Sequence, residues 1–147
     1  MDLKLEVLFV PVSDVDRAKA FYESLGFRLD IDYVASEEFR VAHLTPPGSE
    51  ASIIIGKGVT TAAPGSLQNT IFAVKDIFAT RADLVEKGAD VSEVFHYADG
   101  FILHLDHQHR VPGPHPERAD YQSFATFSDP DGNTWFLQEI HTRAPGR

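Results

Sequence analysis

The chain carries a copy of part of itself. Val12-Ser13-Asp14-Val15 opens a helix-like stretch that ends at Leu25-Gly26-Phe27. Val74-Lys75-Asp76-Ile77 opens another, which ends at Lys87-Gly88-Ala89. Asp14 and Asp76 stand 62 residues apart, and so do Gly26 and Gly88. An apolar strand-like run precedes each aspartate, and another follows each glycine. Two strand–helix–strand units in 147 residues predict a pseudo-symmetric domain in which matched side chains from both halves surround a shared cleft. The cleft, not the repeat, must then supply function.

The pattern along the chain fills in the units. Residues 4–12 are rich in Val, Leu and Phe and read as a strand that Pro11 ends or bulges. Ser13 or Asp14 caps the following helix, and Ser13 with Asp16 approximates a capping box. Val15, Ala18, Tyr22 and Leu25 recur at helical spacing and predict the face that packs on a sheet. Strands are expected near 27–35, 38–45 and 51–56, and residues 57–68, with Gly58, Pro64, Gly65 and Ser66, read as a linker. The second half opens with a strand near 69–75 and a helix capped at Asp76 that ends at Gly88, with Ile77, Leu84 and Val85 as its packing face. Strands follow near 90–97, 101–107, 121–128 and 133–141, the last two joined by the turn Ser128-Asp129-Pro130-Asp131-Gly132-Asn133. The stretch 107–120 has the prolines and glycine of a long loop. Each half reads strand–helix–strand–strand–strand, which predicts an α+β chain with an eight-stranded mixed sheet and two helices on its outer face.

Composition excludes several classes. A net charge of −9 opposes a nucleic-acid surface, because phosphate would be repelled. The basic residues Arg17, Lys19, Arg28, Arg40, Lys57, Arg81, Arg110 and Arg118 form no stripe. There is no cysteine, so disulfides, thiolate ligands and a thiol nucleophile are excluded. No apolar run approaches the roughly 18 residues that would span a bilayer, and the N-terminus lacks the layout of a signal peptide. The reading is a soluble, cytoplasmic protein. There is no GxGxxG, P-loop or GxSxG motif to support nucleotide binding or a serine nucleophile.

Two phrases carry a family likeness. Val12-Ser13-Asp14 followed by Ala20-Phe21-Tyr22-Glu23-Ser24-Leu25-Gly26-Phe27 resembles the start of vicinal oxygen chelate proteins, and Phe124-Ala125-Thr126-Phe127-Ser128-Asp129-Pro130-Asp131-Gly132-Asn133 resembles their closing hairpin. This is the glyoxalase, bleomycin-resistance and extradiol-dioxygenase superfamily, and the likeness covers about residues 5–141. The resemblance implies a single domain over 1–147. Two βαβββ modules, about 4–56 and about 69–141, would form a U-shaped cup. In the family's enzymes it also implies a divalent metal in that cup, and a homodimer is common among relatives.

The positions that the resemblance assigns to the metal can be read one by one. The His or Gln of the first strand usually stands seven residues before the helix-start aspartate; here that is Val7, and Asn69 in the second module. The closing-strand Glu usually stands seven residues after the first Asp of the turn; here that is Phe136. The fourth strand of the first module offers Ser52-Ile53-Ile54-Ile55. This set does not make a site for zinc, manganese or iron, which need convergent His, Glu or Asp donors. The expectation is no metal and no cofactor.

Strand alternation then fills the cup. With Val7 go Phe9 and Pro11; with Asn69 go Ile71 and Ala73; with Phe136 go Thr134 and Gln138. Val10, Phe72, Trp135 and Leu137 point the other way, under the helices. Tyr33 and Tyr97 are candidates for the rim. A cup lined by Val7, Phe9, Asn69, Ile71, Phe136 and Gln138, with His104 beside it, suits a largely apolar small molecule oriented by a few hydrogen bonds. The function expected is ligand binding in a sequestering or resistance role. The alternative is a lyase, isomerase or dioxygenase-like enzyme using the His-rich stretch around His104, His107, His109 and His115. An extended strand there would put His107 and His109 on one side as a metal pair, with Asp106 or Glu117 as a candidate third donor.

Overall fold

The structure, a computed structural model, describes residues 1–100 and 108–147. The expected strand at 101–107, with His104 and His107, lies outside the described residues. The chain divides into two compact units, Met1–Gln68 with Ser128–Thr134 and Asn69–Phe127 with Trp135–Arg147. Among the described residues no helix is long and apolar enough to cross a membrane.

The first unit runs β1 (Val7–Phe9), α1 (Val15–Ser24), β2 (Arg28–Val34), β3 (Arg40–Thr45) and β4 (Ser52–Lys57). Its sheet has the order β1-β4-β3-β2, with β1 parallel to β4 and the other pairs antiparallel. Asp14 is the N-cap of α1, and its carboxylate accepts from the Arg17 N–H at 3.0 Å. The expected capping box is corrected here: the Ser13 hydroxyl donates to Asp131, and Asp16 pairs with Arg40 at 2.8 Å. The helix ends where Gly26 takes a φ of 94°, a left-handed conformation that costs glycine least. Ala18, Tyr22 and Leu25 are buried, as the spacing predicts. On the sheet, Val10, Ala42, Leu44, Ile53 and Ile55 are buried. Leu44 sits opposite Ile53, and Ala42 opposite Ile55, so these residues share one face. At about 25 cal/mol per Å² of apolar area, that core is the main stabilising term of the unit.

The turn Ser128–Thr134 belongs to this first unit and is a dense hydrogen-bond hub. The Asp129 carboxylate accepts from the Tyr22 hydroxyl at 2.8 Å, the Asn133 side-chain amide at 2.8 Å, and the backbone N–H groups of Asp131 and Asn133 at 3.0 Å. Asn133 also donates to the Pro11 carbonyl at 2.8 Å and accepts from the Leu67 N–H at 3.0 Å. Tyr22 and Asn133 are fully buried.

The second unit runs β5 (Thr70–Val74), α2 (Ile77–Glu86), β6 (Phe95–Tyr97), β7 (Arg110–Pro112), β8 (Phe124–Ser128) and β9 (Thr134–Glu139). The sheet order is β5-β9-β8-β6-β7, with β5 parallel to β9. Asp76 caps α2 by accepting from the N–H groups of Phe78 and Ala79, both at 3.0 Å. Ile77 and Leu84 are buried, but Val85, expected on the packing face, is exposed. Ile77, Thr80 and Leu84 make the inward stripe instead, since Val85 stands a full turn-angle off it.

The repeat survives in three dimensions. Each unit pairs its first strand parallel to its closing strand. Among the described residues the strands fall into two mixed sheets of four and five, where the sequence predicts one sheet of eight. The fifth strand of the second sheet, β7, stands in the stretch expected to be loop. Val7 pairs with Ser52, and Thr70, one residue past Asn69, pairs with Trp135. The closing strands are therefore about 82 residues apart while the first strands are 62 apart, so the second half holds some twenty additional residues between β6 and β8.

Candidate functional site

In each unit, one face of the sheet is covered by the helix and the other is apolar. In the first unit the second face carries Val7 and Phe9 of β1, Ile54 of β4, Val41 and His43 of β3, and Ile31 and Tyr33 of β2. The registers Phe9↔Ile54, His43↔Ile54, Ile31↔His43 and Tyr33↔Val41 place them together. Phe9 is 43% exposed, and Ile31 and Tyr33 are also exposed. The Nε2 of His43 is buried in this face with no hydrogen-bond partner among the described residues.

In the second unit, alternation along β9 is anchored by Glu139. Its fully buried carboxylate accepts from the Ile77 N–H at 2.9 Å, at the start of α2, so Trp135, Leu137 and Glu139 point to the helix side. Trp135 stacks on Phe72 with ring centroids 4.7 Å apart. Phe136 and Gln138 point to the opposite face, next to Ile71 and Ala73 of β5 by register. Ile71 is 39% exposed and Ala73 is exposed, whereas Phe136 is buried. Phe136 closes a four-ring cluster with Phe95, Tyr97 and Phe124. Its ring meets Phe124 edge-on at 6.0 Å and Phe95 at 6.3 Å, and Phe95 stacks with Phe124 at 5.9 Å. Arg110 of β7 lies across this cluster, its guanidinium carbon 4.1 Å from the Phe95 ring centre and 5.7 Å from that of Phe136.

The framework behind this face is tied down by charge. Arg118 donates to both Glu139 oxygens, at 2.8 and 2.5 Å. Burial acts to raise the Glu139 carboxyl, but the Arg118 fork and the Ile77 N–H outweigh it and hold it below the ordinary glutamate range. The same carboxylate raises Arg118 above its ordinary value. Gln138 donates its side-chain amide to the Tyr121 carbonyl at 2.9 Å, and the Tyr121 N–H donates to the Glu139 carbonyl at 2.9 Å, so residues 118–121 are strapped to β9.

The residues expected in the site therefore divide. Val7 and Phe9 share the apolar face of the first unit, and Ile71, Phe136 and Gln138 share that of the second. Phe9 and Ile71 are 62 residues apart, so the repeat places an exposed apolar residue at the same point of each first strand. Asn69 precedes β5 with a φ of 62°, a left-handed conformation that asparagine tolerates. His104 lies outside the described residues. Of the other histidines, His115 accepts the Glu117 N–H at 3.2 Å, and His96 Nδ1 is 2.8 Å from the Gly113 carbonyl. Among the described residues no three His, Cys, Asp or Glu side chains gather as a metal site would require. Position by position, the likeness assigns to a metal Val7, Asn69, Phe136 and the run Ser52-Ile53-Ile54-Ile55, and hydrocarbon groups with a hydroxyl and an amide do not fit a divalent ion.

A cleft of about 490 Å³ in the first unit opens beside the start of α1, between Pro11, Asp14, Arg40 and Lys57. Its Arg40 is engaged by Asp16 and Asp32, and its Asp14 caps the helix. The apolar faces are the better candidates, because their polar groups at His43 and Arg110 serve no such structural pair. Sequence reasoning missed Phe95, Phe124 and Arg110; the alternation of Phe95 and Tyr97 was the available signal.

Comparison with known proteins points one way. A family model described as the Glyoxalase/Bleomycin resistance protein/Dioxygenase superfamily matches residues 4–137. TnmS3, an antibiotic binding protein from Streptomyces sp. CB03234, has a crystal structure that is similar with a TM-score of 0.68 and 29% identity, covering 95% of this chain and 97% of that one. A glyoxalase/bleomycin resistance protein from the same Streptomyces strain is similar at 30% identity and a TM-score of 0.65, over 92% of this chain and all of that one (100%). YetH, an uncharacterized protein of Bacillus subtilis (strain 168), is 24% identical over 132 residues, 88% of this chain and 92% of its own.

Proposed function

The chain belongs to the Glyoxalase/Bleomycin resistance protein/Dioxygenase superfamily, and from that premise we propose that it binds a largely apolar, aromatic small molecule without a metal, in a sequestering or resistance role. The observation that carries this reading is Phe136. The likeness places a metal-binding glutamate of the family's enzymes at that position; here a phenyl ring stands there, packed with Phe95, Tyr97 and Phe124. The buried aromatic cluster, or box, underlies an apolar face that Ile71 exposes, while the Gln138 side-chain oxygen and Arg110 supply a few directional groups. The similarity to an antibiotic binding protein, over 95% of this chain, supports small-molecule binding. The proposal includes the single domain over residues 1–147, the cupped sheet, a cytoplasmic location and a homodimer.

The test is binding of 2-naphthamide followed by saturation-transfer NMR. The wild type gives transfer to the naphthalene protons. Phe136→Glu, which puts a carboxylate in the box, weakens binding at least tenfold, and Phe136→Leu, which keeps apolar volume and removes the ring, weakens it a few-fold. Circular dichroism confirms that each variant is folded. Affinity unchanged in both folded variants would mean that the box is not the site.

A further inference from the structure

We infer that the ligand of this box is an aromatic acid: a planar ring system bearing a carboxylate or an acidic phenolic oxygen, which Arg110 receives. This rests on the reading that the aromatic cluster is the binding site. Arg110 is paired in the ladder with Tyr97, at the outer edge of the second sheet. Its guanidinium lies over two rings, 4.1 Å from Phe95 and 5.7 Å from Phe136, so much of its hydration is replaced by ring faces. Rings attract a cation but accept no strong hydrogen bond in its plane. The Nε of Arg110 is buried and has no hydrogen-bond partner among the described residues.

A buried unpaired N–H is costly to leave so, and every other partly buried arginine that closes a structural contact here does so on an oxygen. Arg40 lies on Asp32, Arg118 on Glu139, and Arg81 on the Ser92 carbonyl. The guanidinium stacked on Phe95 and beside Phe136 carries paired parallel donors, and its Nε still lacks an acceptor among the described residues. A planar carboxylate matches that fork bidentately, and an oxygen conjugated to a ring stays in the ring plane, where the stacked guanidinium can reach it. The chain's net charge of −9 disfavours anions in general, so a cation held here selects an anion locally rather than by a broad field.

The experiment compares 2-naphthoate with its neutral, nearly isosteric partner 2-naphthamide by titration calorimetry at neutral pH and low salt. The wild type binds naphthoate about tenfold or more tightly than naphthamide, the scale of a desolvated charge-assisted pair. In Arg110→Gln the ratio falls toward one, and in Arg110→Lys, which keeps the charge and loses the fork, it is intermediate. Equal affinities in the wild type, or a ratio that survives Arg110→Gln, overturn the inference and leave aromatic binding standing. Failure of both probes to bind overturns the inference together with the site on which it rests. The wild-type ratio decides the question even if the glutamine variant does not fold.

Discussion

Replacing Asp129 by alanine should destabilise the protein by about 4 kcal/mol, and the figure follows from which donors are left behind. The carboxylate accepts four hydrogen bonds, two of them from the fully buried Tyr22 hydroxyl and Asn133 amide. Alanine takes the carboxylate acceptor from both buried donors, and each lost bond costs about 1–3 kcal/mol where water cannot replace it, the Asn133 amide keeping its bond to the Pro11 carbonyl. The two backbone N–H groups of the turn lose their acceptor as well. Against a typical total stability of roughly 5–15 kcal/mol, this is a large fraction. Tyr22→Phe is different: it removes the donor itself and leaves the carboxylate three others, for a cost of about 1 kcal/mol. The sharper expectation concerns the pair. In the Asp129→Ala background the tyrosine hydroxyl has already lost that acceptor, so Tyr22→Phe should cost less there than in the wild type. Urea denaturation followed by far-ultraviolet circular dichroism, run on the four members of the cycle, measures this directly. A cost for Asp129→Ala below about 1 kcal/mol, or a cycle that is additive within about 0.5 kcal/mol, would refute the hub.

Other consequences can be checked in parallel. Glu139→Gln should cost about 2–3 kcal/mol at neutral pH, moderated by the partial exposure of Arg118. Because the folded Glu139 carboxyl is held below its ordinary range, its contribution is complete above that range and is lost as pH falls through the folded value. Wild-type stability should therefore decline on acidification more steeply than that of the glutamine variant, as read by urea midpoints from pH 7 to pH 3. Gly65→Ala should cost more than about 2 kcal/mol: at a φ of 81° its Cβ would stand 2.1 Å from the Asp131 carbonyl oxygen. Gly88→Ala, also at positive φ but with nothing within 4 Å, should cost only about 1 kcal/mol; equal thermal shifts for the two would contradict the close approach. Asp32→Asn removes the acceptor shared by Arg40 and Lys19, whose hydrogen bonds hold that carboxyl well below the usual range. It should cost about 0.5–1 kcal/mol in dilute buffer and much less in 1 M NaCl, and a salt-independent effect would sink the electrostatic account.

The sequence was most legible where a local rule leaves one solution. The cap aspartates Asp14 and Asp76, the left-handed Gly26 and Gly88, and the buried stripe of Ala18, Tyr22 and Leu25 follow from helix geometry alone. Alternation correctly sent Val10, Trp135 and Leu137 inward. It was less reliable where neighbours decide. Val85 lies outside the packing stripe because the apolar residues of α2 are spread around the helix, Phe78 and Val85 being exposed, and mark no single face. The strand β7 was hidden because three residues ending in Pro112 carry no period. Arg110 looked like one more scattered cation for the same reason, since only the cross-strand pairing with Tyr97 brings it over Phe95. Asn133 read as a turn residue, and nothing local announced that its amide reaches back to Pro11.

The unequal spacing of the two halves has an evolutionary reading. First strands 62 residues apart and closing strands about 82 apart mean that the second copy of the unit is the longer one, by a stretch between β6 and β8. That longer stretch contains β7 and hence Arg110, so the residue proposed to receive the ligand's acid lies outside the part that the two halves share. A lineage built this way can keep its framework under strict selection and vary one excursion of the chain. Gains in ligand choice then need not pass through mutations that endanger folding.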